Sequence, residues 1–84
     1  MPLPIAGEIE VVVGSVTPVV IHGDSYLDLA IFPAGDPQAT MVRVPRHTFP
    51  PDDQGDAWTP VVGERIVVRV LLGQVDGVRR VSED

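Results

Sequence analysis

The stretch that decides the fold is VGERIVVRVLLGQVDGVRRV, residues 62–81. Large aliphatic side chains recur at every second position in its first half, which is the spacing of one face of a β-strand. We predict a strand over residues 61–72, with Arg65 and Arg69 on its outer face. The side chains predicted to face inward are Ile66, Val68, Val70 and Leu72.

The second half of this stretch predicts a hairpin. Asp76-Gly77 is typical of a two-residue turn, so we place the last strand at residues 78–82. With that turn, Arg80 joins Arg65 and Arg69 on one outer face. A basic stripe of this kind fits a polyanionic ligand. The alternative is that the three arginines pair with the many carboxylates of the chain.

A long first strand is predicted over residues 7–21, GEIEVVVGSVTPVVI. Ile9, Val11 and Val13 share one face, and Gly14 then marks a bulge or bend. Pro18 has no N–H to donate to a neighbouring strand. We therefore expect the second half of this strand to lie at an edge of the sheet or past a bend.

Two shorter strands follow, at residues 26–32 and 40–45, each with turn-forming residues before it. In both strands aliphatic residues alternate with other types, which indicates one buried and one outer face. The predicted inward residues are Leu27, Leu29, Ile31, Val42 and Val44. The predicted outward residues are Tyr26, Asp28, Ala30, Phe32, Met41 and Arg43.

Residues 46–60, RHTFPPDDQGDAWTP, form the one long connection. Its prolines argue against a full helix, although one helical turn around residues 52–58 is compatible with the pattern. We expect Trp58 to cover the open end of a barrel formed by the predicted strands. Three aspartates in PPDDQGD lack the spacing of a known cation loop, so we interpret them as a solvated acidic loop.

Composition limits the possible functions. The 84 residues are enough for one domain, and the chain contains no cysteine for disulfides or thiolate metal sites. Six basic residues stand against 12 acidic ones, for a net charge of −6. All six are arginines, and all follow residue 42. This balance opposes long-range attraction of nucleic acid, although it permits a locally positive face.

We also expect a cytoplasmic protein that does not contact membranes. The N-terminal residues lack the basic start and apolar stretch of a signal peptide. No apolar run reaches the roughly 18–20 residues that span a bilayer.

The strand layout resembles the OB-fold, the small Greek-key barrel of oligonucleotide- and oligosaccharide-binding domains. The resemblance is carried by the bent first strand with its central Gly14 and by residues 62–81. It implies an all-β, closed five-stranded barrel over residues 1–84, in which the 46–60 segment replaces the helix that many members have between strands three and four. It also implies a ligand lying across strands two and three, between loops at residues 22–25 and 74–77.

These observations predict a binding module rather than an enzyme. Aromatic side chains stack on unpaired bases and arginines contact phosphate, so the first hypothesis is a single-stranded nucleic acid bound with modest affinity. The candidate ligand-binding residues are Tyr26, Phe32, Arg43, Arg46, Arg65, Arg69 and Arg80. The alternative is an interaction subunit that binds a protein partner or another copy of itself. We find no catalytic motif and expect neither a metal nor a cofactor.

Overall fold

The computed structural model describes residues 6–33 and 35–81. Within these ranges the chain is all-β, as predicted, with a single short 3₁₀ turn. The elements in chain order are β1 (Ala6–Ile21), β2 (Asp24–Pro33), β3 (Thr40–Pro45), the 3₁₀ turn (Arg46–Thr48), β4 (Arg65–Leu71) and β5 (Gln74–Arg80). None of the helical structure in this part of the chain is long and apolar enough to cross a membrane.

All five strands belong to one antiparallel sheet with the order β3-β2-β1-β4-β5. Hairpins join β1, β2 and β3, and the 46–60 segment then leads the chain back so that β4 lies beside β1. This is the Greek-key order, as predicted. The predicted closure is wrong, however. β3 and β5 approach within 8 Å between Cα atoms but are not hydrogen-bonded neighbours, so the barrel is open between them.

Gly14 creates the predicted bulge in β1. The register with β2 steps from Val13 opposite Ile31 to Ser15 opposite Ala30, which leaves Gly14 as the extra residue. A Cβ atom on Gly14 would lie 2.5 Å from Cε2 of Phe32, closer than real side chains approach. The absence of a side chain therefore lets the Phe32 ring lie directly against the bulge.

The edge position predicted from Pro18 is also confirmed. β4 pairs with β1 only over residues 6–12, whereas residues 15–21 of β1 pair with β2 alone. The side of β1 that faces away from β2 is thus free of strand pairing around Pro18, where no N–H is available to donate.

The inward side chains predicted from the alternation form the core or pack against it, with one exception. The most deeply buried side chains include Val11, Val13, Leu29, Ile31, Val44, Ile66, Val68 and Val70. Leu72 was expected to join them but is 81% exposed, because it lies in the turn between β4 and β5.

The predicted turn at Asp76-Gly77 is wrong. The turn is at Leu72-Gly73, where both residues have positive φ (54° and 78°), as in the tight turns of hairpins. Gly77 lies inside β5, opposite Arg69, and Asp76 is the extra residue of a second bulge. As a result Arg80 pairs with Ile66, on the inner side of the hairpin.

The 46–60 segment closes one side of the core. Its only helical structure is the 3₁₀ turn, and no helical turn forms at residues 52–58. Trp58 is 5% exposed and packs edge-on against Phe49, with ring centroids 5.9 Å apart. Its burial agrees with the expectation that it covers the barrel interior.

Candidate functional site

The clearest candidate site is the gap in the barrel. A groove of about 500 Å³ lies there, between β3 and the start of β5, and we call it the β3–β5 groove. Its lining residues are Tyr26, Met41, Val42, Arg43, Pro45, Gly73, Gln74 and Val75. Three of the residues predicted for the outer face of strands two and three, Tyr26, Met41 and Arg43, therefore lie together.

The backbone of β3 leaves unpaired groups along this groove. Pro45 lies opposite Tyr26 in the ladder with β2, and because it has no N–H it must occupy a position whose backbone faces away from β2. The register of β2 and β3 has no irregularity, so the same orientation recurs at every second residue. Alternation thus directs the N–H and C=O groups of Arg43 and Met41 toward the free edge.

A second depression, of about 400 Å³, continues beyond Tyr26. It shares Tyr26 and Pro45 with the β3–β5 groove, and its other lining residues are Asp24, Ser25, Arg46 and His47. The half-buried Tyr26 ring therefore stands between two concave surfaces. Both loop segments predicted to flank the ligand contribute, residues 24–25 to the depression and Gln74 to the groove.

Arg43 is already paired with a carboxylate. Its Nε donates to Oδ1 of Asp28 at 2.7 Å and its Nη2 donates to Oδ2 at 3.0 Å, across β2 and β3. These hydrogen bonds lower the pKa of Asp28. Desolvation of the carboxylate opposes them, and charge attraction to Arg43 adds a smaller lowering. The hydrogen bonds likewise raise the pKa of Arg43 above its ordinary value. Arg43 is consequently not a free phosphate contact.

The other strand arginines are paired in the same way. Each forms an ion pair with a different carboxylate: Arg65 with Glu10 at 3.2 Å, Arg69 with Asp76 at 2.9 Å, Arg79 with Glu8 at 3.2 Å, and Arg80 with Glu64 at 3.4 Å. The hydrogen bond from Arg69 to Asp76 raises the pKa of Arg69.

The predicted stripe of Arg65, Arg69 and Arg80 does not form. Arg65 and Arg69 are on the outer side of β4, but Arg80 is on the inner side and lies over the Trp58 ring. Arg79, opposite Val67, is the arginine of β5 that shares the outer side. The physical reason is the bulge at Asp76, which changes the face of the residues after it.

Arg46 has a structural contact of its own. Its guanidinium donates to the carbonyl oxygens of Ala57 and Trp58 at 3.2 and 3.3 Å, and to Oγ1 of Thr59 at 3.0 Å. It also lies 5.3 Å from the centroid of the Phe49 ring. Arg46 therefore holds the two ends of the 46–60 segment together, although it borders the second depression.

Phe32 is not part of the groove. It lies at the opposite end of β2, where its ring covers the Gly14 bulge and borders a shallow surface with Val12 and Pro37. Of the seven candidate ligand-binding residues, only Tyr26 and Arg43 line the β3–β5 groove, with Arg46 in the adjoining depression.

Sequence reasoning missed Gly73, and it missed that Gln74 and Val75 on the other side of the groove belong to a strand. The misplaced turn left Gly73 between a strand ending at residue 72 and a loop at residues 74–77, so Gln74 and Val75 were not expected to form a strand opposite β3. The signal that could have found them is Leu72-Gly73 itself, since a glycine after an apolar strand is also a turn signal.

The acidic loop uses one of its carboxylates internally. Oδ1 of Asp52 accepts hydrogen bonds from the backbone N–H groups of Gln54 and Asp56, at 2.8 and 3.1 Å. Over residues 6–33 and 35–81, no three histidine or acidic side chains come together as a metal-binding group.

Comparison with known proteins adds nothing to this geometry: no family model, no curated protein and no solved structure matches the chain.

Proposed function

We propose that this chain is a binding module of the OB type that holds an extended segment of a protein partner along the free edge of β3. The observation that carries the proposal is the unpaired β3 edge, which lies inside a groove instead of on an open surface. Extended peptides bind such edges by adding a strand, in which backbone hydrogen bonds supply affinity and pockets for alternate side chains supply specificity.

The lining of the groove supports a peptide ligand. Val42 and Val75 offer apolar surface that continues into the core, and the exposed Met41 side chain stands beside them. The only charged lining residue is Arg43, whose charge is balanced by Asp28. A groove that has both apolar and polar lining and is locally neutral suits a polypeptide better than a phosphate chain.

Single-stranded nucleic acid is the second candidate. It is favoured by one observation, the presence of Tyr26 and Arg43 in the same groove, where the ring can stack on a base. Contact with a phosphate would require Arg43 to exchange Asp28 for the ligand. Because the other strand arginines are also paired and the net charge is −6, this candidate ranks below a peptide.

A selection experiment tests the peptide proposal. A displayed library of random 12-residue peptides is selected on the immobilised protein, and the recovered peptides are measured against Met41→Pro and Met41→Ala. Met41→Pro removes one N–H from the free edge without touching the ladder to β2, whereas Met41→Ala keeps that N–H. We expect at least a tenfold loss of affinity for Met41→Pro and less than about threefold for Met41→Ala. Equal affinities for the two variants, or no recovered peptide, contradict the proposal.

The nucleic-acid candidate has its own test. A fluorescent single-stranded oligonucleotide is titrated at 50 and 200 mM salt. If about three phosphates are neutralised, affinity falls roughly tenfold to twentyfold between these conditions. If no binding is seen at tens of micromolar protein in low salt, this candidate is eliminated. If Tyr26→Ala weakens binding more than His22→Ala does, the candidate is supported.

A further inference from the structure

The two strands that border the groove run in the same direction. Four antiparallel pairings lead from β3 through β2, β1 and β4 to β5, and an even number of reversals restores the original direction. Direct closure of the barrel would therefore create one parallel pair in an otherwise antiparallel sheet.

We infer that the bound segment runs antiparallel to both β3 and β5 and completes a closed six-stranded antiparallel barrel. This inference rests on the proposed function and adds the orientation and chemistry of the ligand. Only an even number of strands can close with every neighbour antiparallel. Because antiparallel pairing is slightly more stable per residue than parallel pairing, the two parallel edges together favour one orientation of the ligand.

Insertion requires the two edges to separate. Strands on either side of a third strand lie about 9.5 Å apart, from two spacings of about 4.7–4.9 Å. Cα atoms of β3 and β5 now approach within 8 Å. By this flat-sheet spacing the edges move apart by about 1.5 Å or more at their closest approach, and the curvature of a barrel reduces that distance. No hydrogen bond between β3 and β5 has to break, since the two strands are not paired.

The occupant is a segment of a different protein rather than a second copy of this chain. The other free edge in the described part of the chain, residues 15–21 of β1, is already paired with β2 on its opposite side, so it cannot lie between β3 and β5 with both of its sides available. Two copies would also repel each other, since each carries a net charge of −6 and five of its six arginines already have carboxylate partners.

The two faces of the groove define the ligand sequence. Side chains of an inserted strand alternate, so every second one points inward beside Val42 and Val75 and must be apolar. Those between them point outward beside Met41 and Tyr26 and are free to be polar. Because this chain carries a net charge of −6, the bound segment is expected to be neutral or basic overall.

Disulfide trapping tests the orientation. The chain has no cysteine, so a single one is placed either at Thr40→Cys, where β3 begins, or at His47→Cys, just beyond its end. The highest-affinity peptide from the library selection is synthesised with a cysteine at its N-terminus or at its C-terminus. Each variant is first checked for unchanged binding of the cysteine-free peptide, and all four combinations are then oxidised under the same conditions.

An antiparallel ligand joins its N-terminal cysteine to position 47 and its C-terminal cysteine to position 40. We expect these two combinations to give at least fivefold more cross-linked product than the other two. The reverse pattern, or equal yields in all four, overturns the inference while leaving peptide binding intact. Failure to recover any peptide in the selection contradicts the proposed function itself, so the two failures are distinguishable.

Discussion

The guanidinium carbon of Arg80 lies 5.4 Å from the centroid of the Trp58 ring, which joins the last strand to the 46–60 segment. The same ring meets Phe49 edge-on and is buried in the core. One side chain therefore connects β5, the long connection and the interior. Removal of the Trp58 side chain should therefore lower the stability of the whole sheet rather than that of one loop.

We expect Trp58→Ala to lower the free energy of unfolding by about 3–5 kcal/mol, the range for removing a large buried aromatic side chain. Domains of this size have about 5–15 kcal/mol in total, so the variant stays near the limit of folding. Trp58→Phe keeps an aromatic ring in place and should lose less than half as much. Urea unfolding followed by circular dichroism measures both variants, and equal losses would contradict a role for the ring.

Arg46→Ala should destabilise the protein by about 1–3 kcal/mol, because it removes the hydrogen bonds that a charged donor gives to the far end of the 46–60 segment. The matched control is Arg65→Ala, which removes an exposed arginine with a single ion pair to Glu10 and should cost less than about 1 kcal/mol. Urea unfolding is again the measurement. Similar losses for the two variants would show that Arg46 does not organise the segment.

The faces of the strands were predictable because most strands have one solvent-exposed and one buried face. This difference imposes a period of two on the sequence. The position of the last turn was not predictable, because two glycines compete for it. A turn at Asp76-Gly77 would direct Val75 and Val78 outward, whereas the turn at Leu72-Gly73 with the bulge at Asp76 buries both. Burial of these two valines outweighs the unfavourable positive φ of Leu72.

The candidate site was predictable only in part. Tyr26 and Arg43 share the outer face of a hairpin, so local alternation was enough to bring them together. The partners of the arginines depend on the order of the strands, and Arg79 meets Glu8 across 71 positions of sequence. The open edge between β3 and β5 is likewise a property of the whole sheet, with no local signal.

The Asp28–Arg43 pair predicts a specific dependence of stability on pH. The pKa of Asp28 is lower in the folded protein than in the unfolded chain, so the pair stabilises the protein above the unfolded pKa of about 3.9. This contribution is lost as the pH falls through the lower, folded value. The melting temperature of Asp28→Asn should therefore lie below that of the wild type by a constant amount from pH 5 to 7.

Below pH 4 the two melting temperatures should converge. Differential scanning calorimetry from pH 2 to 7 measures the difference, and Asp53→Asn, in an exposed loop, serves as the control with the same change of charge. A difference for Asp28→Asn that stays constant down to pH 2 would contradict the lowered pKa.

Gly14 tests whether the β1 bulge depends on the Phe32 ring. Gly14→Ala should destabilise the protein by about 1–3 kcal/mol, the usual cost of forcing an extra methyl group into a packed site. The backbone at Gly14 does not have positive φ, so the clash with Cε2 of Phe32 is the only expected source of that cost.

In a Phe32→Ala background the ring is gone, and Gly14→Ala should then cost less than about 0.5 kcal/mol. Urea unfolding of the four proteins in this double-mutant cycle gives the coupling energy. A cost that is the same in both backgrounds would mean that the backbone of the bulge, and not the ring beside it, requires glycine.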